Sequence, residues 1–176
     1  RFNNDLLIAT DGGLYSYNDN IFTDYSKGLK KYDLSVLSIN NDNLWIGNND
    51  GGTIQIFNNQ MANIANISQI DIKDIYDIVF SSRYAFILAN TYDDINRLEI
   101  YQYNIEDLSN LYYISKINIP FNSSLINDIE VLNETLYISI ENSLISIDKL
   151  DNINFSDISD WNELSLSNIS KLLIHD

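Results

Sequence analysis

Leu7-Ile8-Ala9-Thr10-Asp11-Gly12-Gly13-Leu14-Tyr15-Ser16-Tyr17 and Leu44-Trp45-Ile46-Gly47-Asn48-Asn49-Asp50-Gly51-Gly52-Thr53-Ile54 are two versions of one phrase. Each sets an apolar strand, an Asp-Gly-Gly turn and a second strand in succession, and recurrence at a period of roughly 40 residues is how a β-propeller blade is written in sequence. In such a turn the Asp carboxylate bonds downstream backbone amides, and the glycines supply the positive φ that a tight hairpin demands. Asp11, Gly12, Gly13, Asp50, Gly51 and Gly52 are therefore expected to be structural, with Gly12→Val harming folding before binding.

Working outward, short runs rich in Ile, Val, Tyr, Phe and Trp alternate with Asn, Asp, Ser and Gly. That is strand period, not helix period. The strongest helical signal is the stretch from Ser156 to Leu166, enough for a turn of helix, and the single proline, Pro120, falls between runs. The predicted fold is all-β, a β-propeller of about four blades of four antiparallel strands, over residues 5–33, 35–72, 75–119 and 126–168. Residues 169–176 match the opening strand of another unit, whereas the first unit lacks its own. Two arrangements satisfy this pattern: the chain ends pair and close a small ring, or the chain is an arc of a six- to eight-bladed one. On the second strands Trp45, Phe86 and Tyr137 fall at equivalent places, with Ile8 there in the first unit, and are predicted to fill the wedges between blades.

Composition removes several function classes. Ten Lys and Arg stand against 25 Asp and Glu, a net charge of −15. So acidic a surface repels nucleic acid and anionic headgroups. Cysteine is absent and the one histidine is His175, so neither a thiolate or multi-histidine zinc site nor a Ser-His-Asp triad can be assembled. No apolar run is long enough to insert in a bilayer as a helix. The chain opens on Arg1, not Met, and is read as a processed product or part of something longer.

The two Asp-Gly-Gly phrases resemble the two-component-regulator propeller repeat. The likeness is good across the first two units and thins in the third and fourth, where Tyr92-Asp93-Asp94 and Glu141-Asn142-Ser143 replace the glycine turn. That family builds rings of about seven blades in extracytoplasmic sensor regions of hybrid histidine kinases and in surface or type IX secretion-associated proteins of Bacteroidetes-type bacteria. The resemblance implies an exported bacterial scaffold without enzymatic activity, placed in the periplasm, at the cell surface or outside, within a longer chain or assembly. It names no ligand.

Candidate sites follow from architecture. Propellers bind through loops where the first strands converge, and Ser35, Asp77, Asp128 and Lys171 are read as the residues just ahead of those strands, with Asp33, Asp74 and Asn127 nearby. Such a ring of carboxylates suits a cation or a basic peptide segment, so the expected partner is a protein or glycan. No organic cofactor is expected. Calcium is the one metal whose hard oxygen ligands are on offer, in the loops Asn40–Asn43, Asn48–Asp50 and Tyr92–Asn96, with Asp93 and Asp94 the candidate ligands. Enzymatic chemistry would fall to Glu99, Glu130, Glu134, Glu141, Glu163 or a tyrosine, as in lyase or glycosidase propellers, but no convergent pair is marked.

Overall fold

The computed structural model describes residues 2–69, 71–119, 125–141, 143–148, 150, 155, 157–166 and 169–173. Pro120, Asn142, His175 and positions 174–176 of the expected closing strand lie outside them. The strands are β1 Leu6–Thr10, β2 Gly13–Asn18, β3 Ile21–Asp24, β4 Leu34–Asn40, β5 Asn43–Asn48, β6 Thr53–Phe57, β7 Asn63–Ser68, β8 Ile72–Phe80, β9 Tyr84–Thr91, β10 Glu99–Asn104, β11 Tyr112–Ile117, β12 Ile126–Leu132, β13 Thr135–Ile140, β14 Ser143–Ile147 and β15 Trp161–Ser165. They form antiparallel sheets in chain order, β1-β2-β3, then three of four strands: β4-β5-β6-β7, β8-β9-β10-β11 and β12-β13-β14-β15. The fold is that of β-propeller blades, the first without its opening strand. Ile72, placed by its sequence pattern at the end of the second unit, instead opens the third sheet. The helical signal near Ser156 reduces to one 3-10 turn, Ile158–Asp160, whose Asp157 carboxylate accepts the Ser159 N–H at 3.0 Å.

The hairpin chemistry explains why Asn and Asp are so frequent. Asp19-Asn20, Asn41-Asp42 and Asn133-Glu134 each hold two successive residues at positive φ, between +48° and +65° for the first pair and between +47° and +61° for the other two. Two left-handed residues in a row reverse a chain in step with strand twist, and Asn and Asp tolerate that conformation better than other side chains. Asn40–Asn43, read from sequence as calcium-type ligands, is thus the β4–β5 reversal.

The two Asp-Gly-Gly phrases are not equivalent in space. Thr10 pairs with Gly13, so the first loop is only Asp11-Gly12. The second spans Asn49 to Gly52, between β5 and β6. Counting pairs back from these turns, Leu7 opposite Ser16 takes the place of Trp45 opposite Ile56, and Ile8 takes the place of Ile46. The shorter turn moved the register by one residue. Gly12 has no positive φ, and a Cβ there would meet only Thr10 Oγ1 at 3.8 Å, so the expectation that this turn draws on positive φ at Gly12 is corrected. Gly13, at φ +129°, would drive a Cβ into Ser26, and Gly52, at φ +51°, would bring one within 2.7 Å of the Ile72 carbonyl.

That close approach makes the second turn a clasp between sheets. The N–H groups of Gly51 and Gly52 both donate to the Lys73 carbonyl, at 2.9 and 3.1 Å, and the Asp50 N–H donates to Asp74 Oδ1 at 3.0 Å. The Tyr92 hydroxyl donates to Asp50 Oδ1 at 3.0 Å from the turn that follows β9.

Three apolar clusters fill the three junctions in turn. Leu14 meets Leu44, Ile46 and Phe57 at the first; Trp45, Ile54 and Ile56 meet Ile78, Ile87 and Tyr101 at the second; Phe86 and Ile100 meet Ile138, Ile145 and Trp161 at the third. Among the described residues no such cluster joins the first and fourth sheets. Residues 169–173 carry no ladder to β1, so the described sheets form an open arc. Trp45 is fully buried, packed edge-on to Phe80 at 5.1 Å, with its indole N–H unpartnered. Phe86 is likewise buried, while Tyr137, opposite Glu130 as Trp45 is opposite Ser38, is only half-buried because no described sheet follows its face.

Gly52→Ala should lower the thermal midpoint, by more than about 1 kcal/mol of stability, while Gly12→Ala stays close to wild type. Equal melting curves for the two would refute the clasp. Trp45→Ala should cost about 3–5 kcal/mol, whereas Trp45→Phe, which also removes a buried donor without a partner, should cost far less in denaturant titration.

Candidate functional site

First strands of successive sheets are neighbours, β4 against β8 and β8 against β12. The last strands β3, β7, β11 and β15 are the more exposed, and β3 is exposed throughout. The first strands therefore lie on the inner side of the arc. Each of the three complete ones breaks register at the same place, between Leu34 and Val36, Ile75 and Asp77, and Ile126 and Asp128. A bulge adds one residue and re-aims those that follow. Asp77 and Asp128 are thus not ahead of the strands but inside them, just past the bulge. Ser35 is itself the bulged residue and is equivalent to Tyr76 and Asn127; Val36 is the counterpart of Asp77.

A cleft of about 420 Å³ lies along the inner face, lined by Ser38 and Asn40 of β4, Asp77 and Phe80 of β8, and Glu130 of β12. Asp77 Oδ1 accepts its neighbour Ile78 N–H at 2.8 Å, and Glu130 Oε1 accepts the Val131 N–H at 3.1 Å. Asp128 is buried and its Oδ2 accepts the Leu172 N–H at 2.6 Å. Burial pushes the Asp77 carboxyl up to about 6, aided by the charges of Asp128 and Glu130 and opposed by the Ile78 N–H and Lys171. Glu130 is raised as well, by burial first and then by Asp128, against the Val131 N–H and Lys171. Two carboxylates desolvated beside a third resist ionisation together.

The structure therefore brings Asp77, Asp128 and Lys171 together, with Glu130 added. It does not bring Asp33 or Asp74 to them. Asp33 receives the Asn49 side chain on its carboxylate at 3.0 Å and the Asn49 N–H on its carbonyl at 3.0 Å. Burial alone would raise Asp74, but hydrogen bonds from the Asp50 N–H and Asn90, and the Lys73 ammonium at 3.4 Å, hold it below the usual carboxylate range. Asp93 and Asp94 sit in the exposed β9–β10 turn, where Asp94 Oδ1 accepts the Asn96 N–H at 3.1 Å. Among the described residues no three acidic or histidine side chains gather as a metal set. Ser38 and Phe80 were not legible as site residues, because which strands share one cleft is set by packing between sheets, and Asn40 had been read only within a calcium-type loop. Glu130 had a signal, a carboxylate two residues after Asp128 on the same strand.

No family model matches the chain, and no curated protein matches it in sequence. Solved structures do. PorZ, an essential bacterial surface component of the type-IX secretion system of Porphyromonas gingivalis, superposes with a TM-score of 0.68 at 11% identity, over 98% of this chain and 29% of that one. The extracellular domain of the putative one component system BT4673 from B. thetaiotaomicron gives 0.61 at 14%, over 98% and 21%. The dihydro-heme d1 dehydrogenase NirN gives 0.60 at 9%, over 93% and 35%. The chain thus spans about a fifth to a third of the lengths of these proteins. At such identities the likeness establishes the β-propeller class and nothing finer, and the class includes both enzymes and non-enzymes.

Because the folded Asp77 binds its proton more tightly than an unfolded Asp at about 3.9, its ionisation works against the fold as pH rises from about 4 to 6, and fully above 6. Lowering pH from 7 to 5 relieves that strain while Asp74, held low, stays ionised. Asp77→Asn should therefore raise the thermal midpoint at pH 7 and shrink its difference between pH 7 and pH 5. An identical pH dependence in variant and wild type would count against the assignment.

Proposed function

We propose that this chain is a non-enzymatic binding scaffold, an exported bacterial β-propeller segment of the two-component-regulator type, which recognises a basic protein segment along its inner face. The observation that carries this reading is the cleft across three first strands, where Asp77 and Glu130 line the wall with Asp128 beside them. Three carboxylates against one Lys171 leave local negative charge, in a chain whose net charge is already −15. A Lys or Arg side chain entering the cleft lets Asp77 ionise with a partner, so recognition and proton release are linked. The extracytoplasmic placement is supported by the surface and extracellular proteins that share the fold, PorZ and BT4673.

A labelled Lys- and Arg-rich peptide titrated at pH 7 should bind, weaken several-fold on Asp77→Asn with Glu130→Gln, and weaken also at pH 5 as Asp77 takes up a proton. A peptide of the same length bearing Glu in place of Lys should not bind. Equal affinity for the two peptides would refute the reading. A sensor role within a larger kinase chain uses the same cleft and differs only in what the propeller is joined to.

A further inference from the structure

The strands β4, β8 and β12 each pair along one edge and leave the other to the inner side of the arc. In an antiparallel ladder the main-chain groups of alternate residues point to the partner strand, and those between them point away. Asn41-Asp42 is a two-residue reversal, so Asn40 and Asn43 flank it as a hydrogen-bonded pair and Ser38 with Trp45 is the next. The N–H and C=O groups of Leu37 and Ile39 therefore point to the inner side. The same count from Asn133-Glu134 turns Val131 that way, and the count from the Ser81 N–H bond to the Tyr84 carbonyl turns Ile78 and Phe80 that way.

On two of these strands a carboxylate covers the open edge. Asp77 takes the Ile78 N–H and Glu130 the Val131 N–H, at 2.8 and 3.1 Å, each from the residue just before it. β4 has no such cap. Val36 stands where Asp77 does and Ser38 where Glu130 does, and among the described residues no side chain takes the N–H of Leu37 or Ile39. Two successive uncapped positions on a strand edge are a template for a further strand. The two faces of β4 differ at this point. Ser38 and Asn40 line the cleft with Asp77 and Glu130, whereas Ile39, opposite Leu44, lies on the face turned to the first sheet and is 45% exposed.

Resting on the reading of the cleft as a site for a basic segment, we propose that the segment binds as an extended strand added to the inner edge of β4, pairing with Leu37 and Ile39 and alternating basic with apolar residues. Successive side chains of a strand point to opposite faces, so every second one enters the cleft beside Asp77 and Glu130 and the others cover Ile39. Main-chain bonds hold the segment, and the alternating side chains select it. Asp77 and Glu130 each give one oxygen to a main-chain N–H, and the other oxygen of each remains for the incoming cation.

Fluorescence anisotropy at pH 7 tests this with a short labelled peptide of alternating Lys and Val and two further forms, one N-methylated at every Lys and one at every Val. In a strand all the Lys N–H groups point one way and all the Val N–H groups the other, so one methylated form should lose affinity several-fold while the other keeps it. Loss in both forms, or in neither, overturns the proposal. Ser38→Glu gives β4 the acid that caps β12. Although it adds negative charge to the cleft, it should weaken the unmethylated peptide several-fold by covering the Ile39 N–H, and unchanged or tighter binding overturns strand addition. If that variant loses its cooperative melt, the methylated pair decides alone. An unmethylated peptide that does not bind refutes the basic-segment reading itself, and strand addition with it.

Discussion

A sheet that is apolar on both faces cannot be stable alone, and every other feature of this protein follows from that constraint. Ile54 and Ile56 face one way and Phe57 the other along a single strand, all fully buried. Such a sheet must be sandwiched, and stacking equivalent sheets in series is the arrangement that repeats without limit. The wedge between them is filled by the largest side chains available, Trp45 at one junction and Phe86 at the next. Where the stack ends, the same positions are exposed, which is why Tyr137 does not share the burial of its counterparts.

Stacking alone leaves sheets free to slide, and polar contacts fix them. The turn Asp50-Gly51-Gly52 places three N–H groups on Lys73 and Asp74 of the following sheet. Only glycine lets the backbone of Gly52 approach the Ile72 carbonyl so closely. The Asn and Asp content serves the same economy of space: two-residue reversals at Asn41-Asp42 and Asn133-Glu134 keep adjacent strands in tight hairpins. Packed side by side, the inner strands β4, β8 and β12 bring Asp77 and Glu130 into one acidic cleft.

Much of the fold was legible and little of the site. Strand period and the repeated turn phrase announced four units, because alternation of apolar and polar residues is a local property of a chain lying across a half-buried or buried surface. The equivalence of Trp45, Phe86 and Tyr137 was readable for the same reason. Ile8 was misplaced because two turns with the same letters differ by two residues in length, and a hairpin fixes its register by counting from its turn. Gly12 and Gly13 look alike in sequence, yet only the second meets Ser26.

The sequence by itself determined the all-β class, the unit count and the acidic character, since each depends on residues close together in the chain or on composition. Only the tertiary structure decided which acids act together. Asp77, Asp128 and Glu130 converge with Lys171 through packing of β8, β12 and residues 169–173, whereas Asp33 and Asp74, just as acidic in sequence, are consumed by loop hydrogen bonds. It also decided that the described sheets end as an open arc. Closure is a matter of which faces meet, and that is set by contacts between residues distant in the chain.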